Sequence, residues 1–255
     1  MTLDKFSLDG RVALVTGSSR GLGETLAEAL AQAGAHVVLN GRDEEALAAN
    51  EKRFGDAGWS VSTSAFDVTD EQASIAAVAA IAKEHGRLDI LVNNAGLARR
   101  APIEEYPTED WRYVMDVNLN SCFYLSREAA KPMLNAGYGR IISTASIATF
   151  IARPIIGPYV ASKHGLAGLT KVLAVELGAR GVTANAIAPG YFETEMTKHL
   201  AADPEFDNWL KGRTPMNRWG QPEELGGAVV FLASPASSYV NGHVLVIDGG
   251  MTASM

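Results

Sequence analysis

Short apolar runs alternate with helical stretches along almost the whole chain, and this alternation restricts the possible folds more than any other feature. Val12–Val15, Val37–Leu39 and Ile90–Val92 are uninterrupted runs of branched apolar residues. Such runs are typical of parallel strands, which are buried on both faces. The pattern therefore predicts an α/β fold with a doubly wound parallel sheet and helices on both faces. The seven predicted strands are Val12–Val15, Val37–Leu39, Val61–Phe66, Ile90–Val92, Arg140–Ser143, Val182–Ile187 and Val244–Ile247.

The segments between the strands carry apolar residues at helical spacing. The predicted helices are Gly21–Ala33, Glu44–Phe54, Asp70–Glu84, Glu109–Asn135 and Tyr159–Leu177. Pro132 is expected to bend or end the fourth of them. Residues 191–221 break the regular pattern because they mix aromatic residues with charges. We predict one catalytic domain over residues 1–255, with residues 191–221 as a substrate loop or lid.

Composition excludes several classes of protein. With 255 residues, 47% apolar and 20% charged, the chain is a globular domain rather than a disordered one. A net charge of −7 argues against a general nucleic-acid binder, which needs a basic surface. The N-terminus does not resemble a signal peptide, and no run reaches the ~18 apolar residues of a membrane span. These features predict a cytoplasmic protein without nucleic-acid or membrane partners.

Cysteine and histidine give no sign of a metal or disulfide site. Cys122 is the single cysteine, so no disulfide can form within the chain, and its apolar neighbours favour a buried, inert thiol. The five histidines have no ligand spacing, and no metal site is predicted.

A glycine-rich turn follows the first predicted strand and opens the first helix. Gly17, Gly21 and Gly23 have the spacing G-x-x-x-G-x-G. Glycines let a ligand's phosphates approach the backbone, and a helix N-terminus adds free amides and the positive end of its dipole. The turn predicts a dinucleotide cofactor.

Residues at the end of the second strand indicate whether the cofactor is NAD or NADP. An acid near this place binds the ribose 2′-hydroxyl of NAD, whereas arginine accommodates a 2′-phosphate. Position 40 is Asn, Arg42 follows it, and Arg20 lies within the glycine-rich turn. The sequence therefore predicts NADP(H) in preference to NAD(H).

Ser146, Tyr159 and Lys163 form a candidate catalytic set. Tyr159 and Lys163 are four residues apart, so they share one face of a helix. A neighbouring ammonium favours the phenolate and is expected to lower the pKa of Tyr159. Ser146 follows a predicted strand at the sheet edge where α/β proteins bind ligands.

Over residues 10–250 the chain resembles the short-chain dehydrogenase/reductase family. The resemblance rests on Thr16-Gly17-x-x-x-Gly21-x-Gly23, Asn93-Asn94-Ala95-Gly96, the set Asn118, Ser146, Tyr159 and Lys163, and Pro189-Gly190 with Thr194. It implies a Rossmann-type fold, a homotetramer, and hydride transfer between a nicotinamide and an alcohol or ketone. Tyr159 would be the general acid or base and Ser146 would stabilise the substrate oxygen. Lys163 would tune Tyr159 and bind the ribose, and Asn118 would hold a relay water. The implied cofactor-binding residues are Gly17, Ser19, Arg20, Gly21, Leu22, Gly23, Asn40, Arg42, Asp67, Val68, Asn94, Ala95, Gly96, Tyr159, Lys163, Pro189, Gly190 and Thr194.

The substrate-side segments resemble a subgroup of this family that acts on sugar acids. Arg99, Arg100 and Arg153 are candidates to bind a carboxylate, and Arg100 and Arg153 join Ser146 in the predicted substrate site. Two alternatives remain open. One is a 3-oxoacyl carrier-protein reductase or another ketone reductase with the same catalytic set, and the other is a non-catalytic NADP-binding protein.

Overall fold

Seven strands form one parallel sheet in the computed structural model, which describes residues 3–195 and 197–254. The strands are β1 Val12–Val15, β2 His36–Gly41, β3 Val61–Ala65, β4 Ile90–Asn93, β5 Gly139–Thr144, β6 Val182–Pro189 and β7 Val244–Ile247. Their order across the sheet is β3-β2-β1-β4-β5-β6-β7, and every neighbouring pair is parallel. The predicted seven-stranded parallel sheet is confirmed.

Helices connect successive strands. They are α1 Gly21–Gln32, α2 Glu44–Asp56, α3 Glu71–Glu84, α4 Thr108–Met115, α5 Ser121–Ala136, α6 Gly157–Leu177, α7 Lys198–Ala201, α8 Pro204–Arg213 and α9 Gly226–Ala233. Shorter 3₁₀ turns span Leu3–Phe6, Ile103–Glu105, Ile147–Thr149, Gly178–Arg180, Pro222–Leu225 and Pro235–Ser237. Asp43 and Asp70 cap α2 and α3 by accepting main-chain N–H bonds, which fixes where these helices begin.

The helical stretch predicted over residues 109–135 is found, and it runs without a break from Thr108 to Ala136. A π-helical turn, Asp116–Asn120, joins α4 to α5 within it. Pro132 does not end α5, because the helix continues to Ala136 and ends at Gly137, whose φ is +65°. Ala129 and Met133 are fully buried beside Pro132. An interior proline removes one main-chain donor and its ring crowds the carbonyl group four residues earlier, and we attribute the persistence of the helix to this packing, which offsets that cost.

The sheet is covered on both faces, as β1 shows most directly. Ala13 and Val15 belong to an apolar cluster with α1, α2 and α9, whereas Val12 and Leu14 belong to a second cluster with α3, α5 and α6. Because alternate residues of a strand point to opposite faces, both sets are withdrawn from water. This arrangement confirms the doubly wound architecture.

The strand order reverses between β1 and β4. The chain runs from β1 outward through β2 and β3, then returns to β4 on the other side of β1. Ligands of such sheets bind in the crevice above the carboxyl ends of the two strands at the reversal. The turns that begin at Thr16 and Asn94 form this crevice.

The stretch predicted as a lid is ordered into two short helices, α7 and α8. Leu210 and Trp219 are buried in an apolar cluster with Ile147 and Met251. Phe192 forms a β-bridge with Gly220, so the two ends of the stretch lie side by side. Among the described residues, no helix has the length and apolar character needed to cross a membrane.

Candidate active site

The turns after β1 and β4 are tied together by side-chain hydrogen bonds. Thr16 Oγ1 accepts the main-chain N–H groups of Asn94 and Ala95 at 2.9 and 3.0 Å. In return, Asn94 Nδ2 donates to the carbonyl oxygens of Thr16 and Gly17 at 3.1 and 3.3 Å. The amide of Asn94 therefore holds the two walls of the crevice in register.

Close packing excludes side chains from the glycine-rich turn. A Cβ on Gly23 would lie 2.2 Å from the carbonyl oxygen of Gly17, and one on Gly17 would lie 2.9 Å from Ala95 Cα. Gly17 and Gly21 both have φ of +62°, which favours glycine. No side chain caps the first turn of α1, whose N-cap is Arg20. The turn thus offers a backbone cradle and uncapped helix amides, which fit the phosphates of a dinucleotide.

Asn40 and Arg42 occupy different positions relative to the crevice. The Asn40 side chain is buried: it accepts the Gly17 N–H at 3.3 Å and donates to the carbonyl oxygens of Ser64 and Phe66. It therefore supports the turn. Arg42 is exposed, and its guanidinium donates to Asp67 at 3.4 Å and to the Tyr113 hydroxyl at 3.3 Å.

These contacts shift the pKa values of both charged partners. The Tyr113 hydroxyl contributes most to raising the pKa of Arg42, and Asp67 adds to it. Desolvation works against ionisation of Asp67, but hydrogen bonds from Thr69 and the charge of Arg42 outweigh it and lower the pKa of that carboxyl. An arginine with a fixed positive charge therefore lies beside the end of β2.

The catalytic set converges where β5 ends and α6 begins. Ser146 is 9% exposed, and its Oγ accepts the Ala148 N–H at 3.1 Å, which caps the turn Ile147–Thr149. Lys163 is buried, and its Nζ donates to the carbonyl oxygen of Thr144 at 2.6 Å. The same Nζ lies 5.4 Å from the centre of the Tyr159 ring.

Burial controls the pKa values of this set. Desolvation raises the pKa of Tyr159, and a hydrogen bond with Ser146 opposes that rise. Desolvation also lowers the pKa of Lys163 to about 8. The predicted lowering of the Tyr159 pKa by Lys163 is therefore not found in this structure. The physical reason is that Lys163 is itself desolvated and points its ammonium at Thr144.

Asn118 lies in the π-helical turn and fixes the segment after β4. Its side chain accepts the Leu97 N–H at 2.9 Å and donates to the Leu97 carbonyl oxygen at 2.9 Å. A Cβ on Gly96 would lie 3.5 Å from Asn118 Oδ1 and 3.6 Å from Lys163 Nζ. Gly96 thus lets Asn118 and Lys163 come close to the same wall of the crevice.

The other residues of the predicted cofactor site follow the carboxyl ends of β1, β3 and β6. Ser19 approaches Gly41, Leu22 is half-buried in α1, and Val68 is buried after β3. Gly190 follows Pro189 at the end of β6 and packs directly on Asp248, while Thr194 is held by Thr197. Sequence reasoning missed Thr144 and Tyr113 because their roles depend on contacts between distant segments.

The three candidate arginines have different environments. Arg99 forms an ion pair with Asp110 and lies over the Tyr113 ring. Arg100 is exposed and makes no ion pair within the described residues. Arg153 donates to the Tyr191 hydroxyl at 2.7 Å. Cys122, as expected, is buried, and desolvation raises the pKa of its thiol.

The chain belongs to the short-chain dehydrogenase/reductase family. A family model described as "Enoyl-(Acyl carrier protein) reductase" matches residues 17–252. This match, the sheet topology and the Ser146, Tyr159 and Lys163 arrangement agree with one another.

Individual relatives match over nearly their whole lengths. The chain is 52% identical to gluconate 5-dehydrogenase of Gluconobacter oxydans, covering 99% of this chain and 98% of the relative. It is 45% identical to D-threitol dehydrogenase of Mycolicibacterium smegmatis, covering 97% and 95%. A crystal structure of gluconate 5-dehydrogenase from Burkholderia cenocepacia, in complex with NADP and tartrate, is 46% identical over the full length of both chains, with a TM-score of 0.97.

Proposed function

We propose that this protein is an NADP(H)-dependent oxidoreductase that interconverts a secondary alcohol and a ketone on a sugar acid, with gluconate and 5-ketogluconate as the pair that fits best. The observation that carries this proposal is the convergence of Ser146, Tyr159 and Lys163 beside the glycine cradle. The similarity to the Gluconobacter gluconate 5-dehydrogenase supports the substrate.

Each catalytic side chain has one task in this reaction. The bound nicotinamide supplies or accepts the hydride. Tyr159 transfers the proton of the substrate hydroxyl as general acid or base. Ser146 donates a hydrogen bond to the substrate oxygen as charge develops on it. Lys163 binds the nicotinamide ribose and provides positive charge near Tyr159, and Asn118 holds a water that relays the proton.

Arg20 and Arg42 would bind the 2′-phosphate of NADP. Two guanidinium groups provide charge-assisted hydrogen bonds to a phosphate, and no acid occupies position 40. Arg42 directly follows the end of β2, where the adenosine ribose lies in dinucleotide folds. The complex of the Burkholderia relative with NADP supports this choice.

The remaining assignments complete the proposal. Residues 191–221 form a substrate lid within a single catalytic domain of residues 1–255. Arg100 and Arg153 contribute positive charge to the substrate site. The protein assembles as a homotetramer and acts in the cytoplasm.

Substrate oxidation and reduction by the purified protein test this proposal. NADPH consumption is measured with 5-ketogluconate, a neutral keto-sugar and acetoacetyl thioesters, and NADP⁺ reduction with D-gluconate and D-threitol. We expect the highest kcat/KM for the gluconate pair. A preference for the thioester would favour the carrier-protein reductase instead, and D-threitol would favour a polyol dehydrogenase, which the second relative suggests. Cofactor binding without turnover of any substrate would support the non-catalytic alternative.

A further inference from the structure

Arg153 connects the catalytic loop with the lid. It lies between Ser146 and Tyr159 in sequence, and its guanidinium donates to the Tyr191 hydroxyl at 2.7 Å. The guanidinium carbon lies 5.9, 5.1 and 5.7 Å from the ring centres of Tyr191, Phe206 and Trp209. We call these three rings the aromatic box. Arg153 is exposed, yet four contacts restrict its orientation.

The aromatic box is itself a packed unit. Its rings are 5.2–6.2 Å apart, and Tyr191 and Phe206 also pack on the buried Trp219. Tyr191 and Phe206 pack against the apolar cluster that contains Ile147, the residue after Ser146. The box therefore holds the guanidinium at a defined position relative to the catalytic loop.

One edge of the Arg153 guanidinium remains open for a ligand. A guanidinium has five N–H donors in one plane. Its hydrogen bond to Tyr191 uses one terminal nitrogen, and Arg153 forms no ion pair in residues 3–195 and 197–254. Contacts with aromatic rings leave the planar edge available. The edge formed by Nε and the second terminal nitrogen can then bind both oxygens of a carboxylate.

The other two candidate arginines lack this combination. Asp110 already pairs with Arg99. Arg100 has no contact that orients its side chain within the described residues, so binding would have to order it. Immobilising such a side chain costs ~0.5–1.5 kcal/mol. Arg153 is already oriented by its contacts, and no acidic side chain within the described residues pairs with it.

Arg153 also borders an open cavity near the catalytic helix. The cavity, of about 430 Å³, lies between residues 101–104 and residues 153–157. Gly157, the first residue of the helix that carries Tyr159, lines it together with Arg153. A polar ligand in this cavity therefore lies beside both the positive charge of Arg153 and the start of the helix that carries Tyr159.

We infer that Arg153 is a specificity-determining residue that receives the carboxylate of the sugar acid, and that the Tyr191 hydroxyl is the positioning residue that orients it. The inference rests on the proposed function for the identity of the substrate. It adds a reason for acid specificity, because the neutral counterpart of the substrate cannot use the open edge.

Binding to the NADPH complex tests this inference separately from turnover, because D-gluconate and NADPH are both in the reduced form and cannot react with each other. Calorimetry compares D-gluconate with D-glucitol, in which a neutral hydroxymethyl group replaces the carboxylate. The ratio of the two dissociation constants is measured for the wild type, Arg153→Met, Arg153→Lys, Tyr191→Phe and the double variant Arg153→Met with Tyr191→Phe. Arg180→Met is the control. Arg180 is exposed just before β6, at the amino ends of the strands, whereas the candidate site lies at their carboxyl ends.

We expect Arg153→Met to reduce the preference for gluconate about tenfold or more, in line with the loss of a charge-assisted pair. Arg153→Lys should retain part of the preference, because lysine keeps the charge but not the planar fork. Tyr191→Phe keeps the ring and should reduce the preference about threefold, but should have no further effect in the Arg153→Met background. Arg180→Met should leave the ratio unchanged.

Three results would overturn the inference: no preference for gluconate in the wild type, an unchanged preference in Arg153→Met, or equal effects of Tyr191→Phe in both backgrounds. Kinetics with 5-ketogluconate distinguish this failure from failure of the proposed function. A wild type that reduces 5-ketogluconate while Arg153→Met keeps its preference contradicts only the role of Arg153. A wild type without this activity contradicts the proposed reaction, and the binding ratios still decide whether Arg153 receives a carboxylate.

Discussion

Lys163 Nζ donates a hydrogen bond to the carbonyl oxygen of Thr144 at 2.6 Å, which ties the catalytic helix α6 to the end of β5. The ammonium has no carboxylate partner among the described residues, and burial lowers its pKa to about 8. Such an arrangement favours function over stability. A buried ammonium without a counter-ion lowers stability, and we relate its presence to the role proposed above for Lys163 at the ribose and Tyr159.

Replacing Lys163 by methionine should therefore stabilise the protein while it abolishes turnover. The pKa of Lys163 falls from 10.5 to about 8, and ~1.4 kcal/mol per pH unit makes the buried charge cost about 3 kcal/mol at neutral pH. Loss of the bond to Thr144 offsets part of this, so we expect Lys163→Met to gain about 1–3 kcal/mol in urea unfolding at pH 7.

The sign of the pH dependence provides a second check. Between pH 8 and 10.5 the unfolded chain holds the Lys163 proton that the folded chain has lost, so the wild type gains stability as pH rises through this window. The advantage of Lys163→Met should accordingly shrink above pH 8. Lys171→Met, at an exposed position of the same helix, should show neither effect. Destabilisation by Lys163→Met at pH 7 would refute this explanation.

Gly23→Ala should damage both stability and cofactor binding. The added Cβ would lie 2.2 Å from the Gly17 carbonyl oxygen and 2.4 Å from Asn94 Nδ2, so the two walls of the crevice must separate. We expect a loss of ~1–3 kcal/mol in urea unfolding, as for other overpacked sites, and weaker NADPH binding by fluorescence titration. Gly168→Ala in α6 has open space around it and should be neutral or stabilising. Wild-type NADPH affinity in Gly23→Ala would contradict the proposal that the glycine-rich turn binds the phosphates of the cofactor.

Local pattern was sufficient to predict the sheet, since β1, β2, β4 and β7 contain uninterrupted apolar runs and the other strands alternate regularly with helical stretches. The same reasoning predicted helix through residues 116–120, but not the π-helical form of that turn. The helical spacing of apolar residues continues through Asp116–Asn120. It does not distinguish an α-helix from the π-helical turn that brings Asn118 to Leu97.

The sequence indicated which residues belong to the candidate site, but it did not indicate the contacts that each of them makes. Asn40 was expected at the cofactor, but its amide is used by the backbone of Gly17, Ser64 and Phe66, which only the strand register brings together. The capture of Arg99 by Asp110 likewise depends on where α4 packs. The pKa of Tyr159 could not be predicted because desolvation, its largest cause, depends on the complete fold.

Arg42→Asp should shift the cofactor preference from NADPH toward NADH. Each lost charge-assisted bond to the 2′-phosphate costs ~1.5–3 kcal/mol, and the new carboxylate repels the phosphate while it can accept the ribose hydroxyls of NAD. We expect kcat/KM with NADPH to fall at least ~10-fold relative to NADH. Arg180→Asp makes the same charge change at the amino ends of the strands, away from the candidate site. It should leave the ratio of kcat/KM with NADPH to kcat/KM with NADH unchanged. A wild type that already prefers NADH would overturn the proposed role of Arg42.

Ser146→Ala should move the ascending limb of the pH profile for alcohol oxidation, where Tyr159 loses its proton, to higher pH. The hydrogen bond from Ser146 lowers the pKa of Tyr159 against the larger effect of desolvation. Without that bond the pKa rises further, so the phenolate that acts as base appears only at higher pH. The pH profile of kcat/KM for gluconate oxidation measures the shift, with the exposed Ser238→Ala as control. A limb that moves to lower pH would show that Ser146 does not stabilise the phenolate.

The central claim is that Tyr159 moves the substrate proton while separate groups hold the cofactor, and Tyr159→Phe tests it most directly. Single-turnover reduction of 5-ketogluconate by bound NADPH isolates the chemical step, and fluorescence titration gives the NADPH dissociation constant for the same samples. We predict a rate ~10²–10⁴-fold below that of the wild type, the usual scale for a general acid or base, with nearly unchanged NADPH affinity. A near-wild-type rate in Tyr159→Phe would contradict the account.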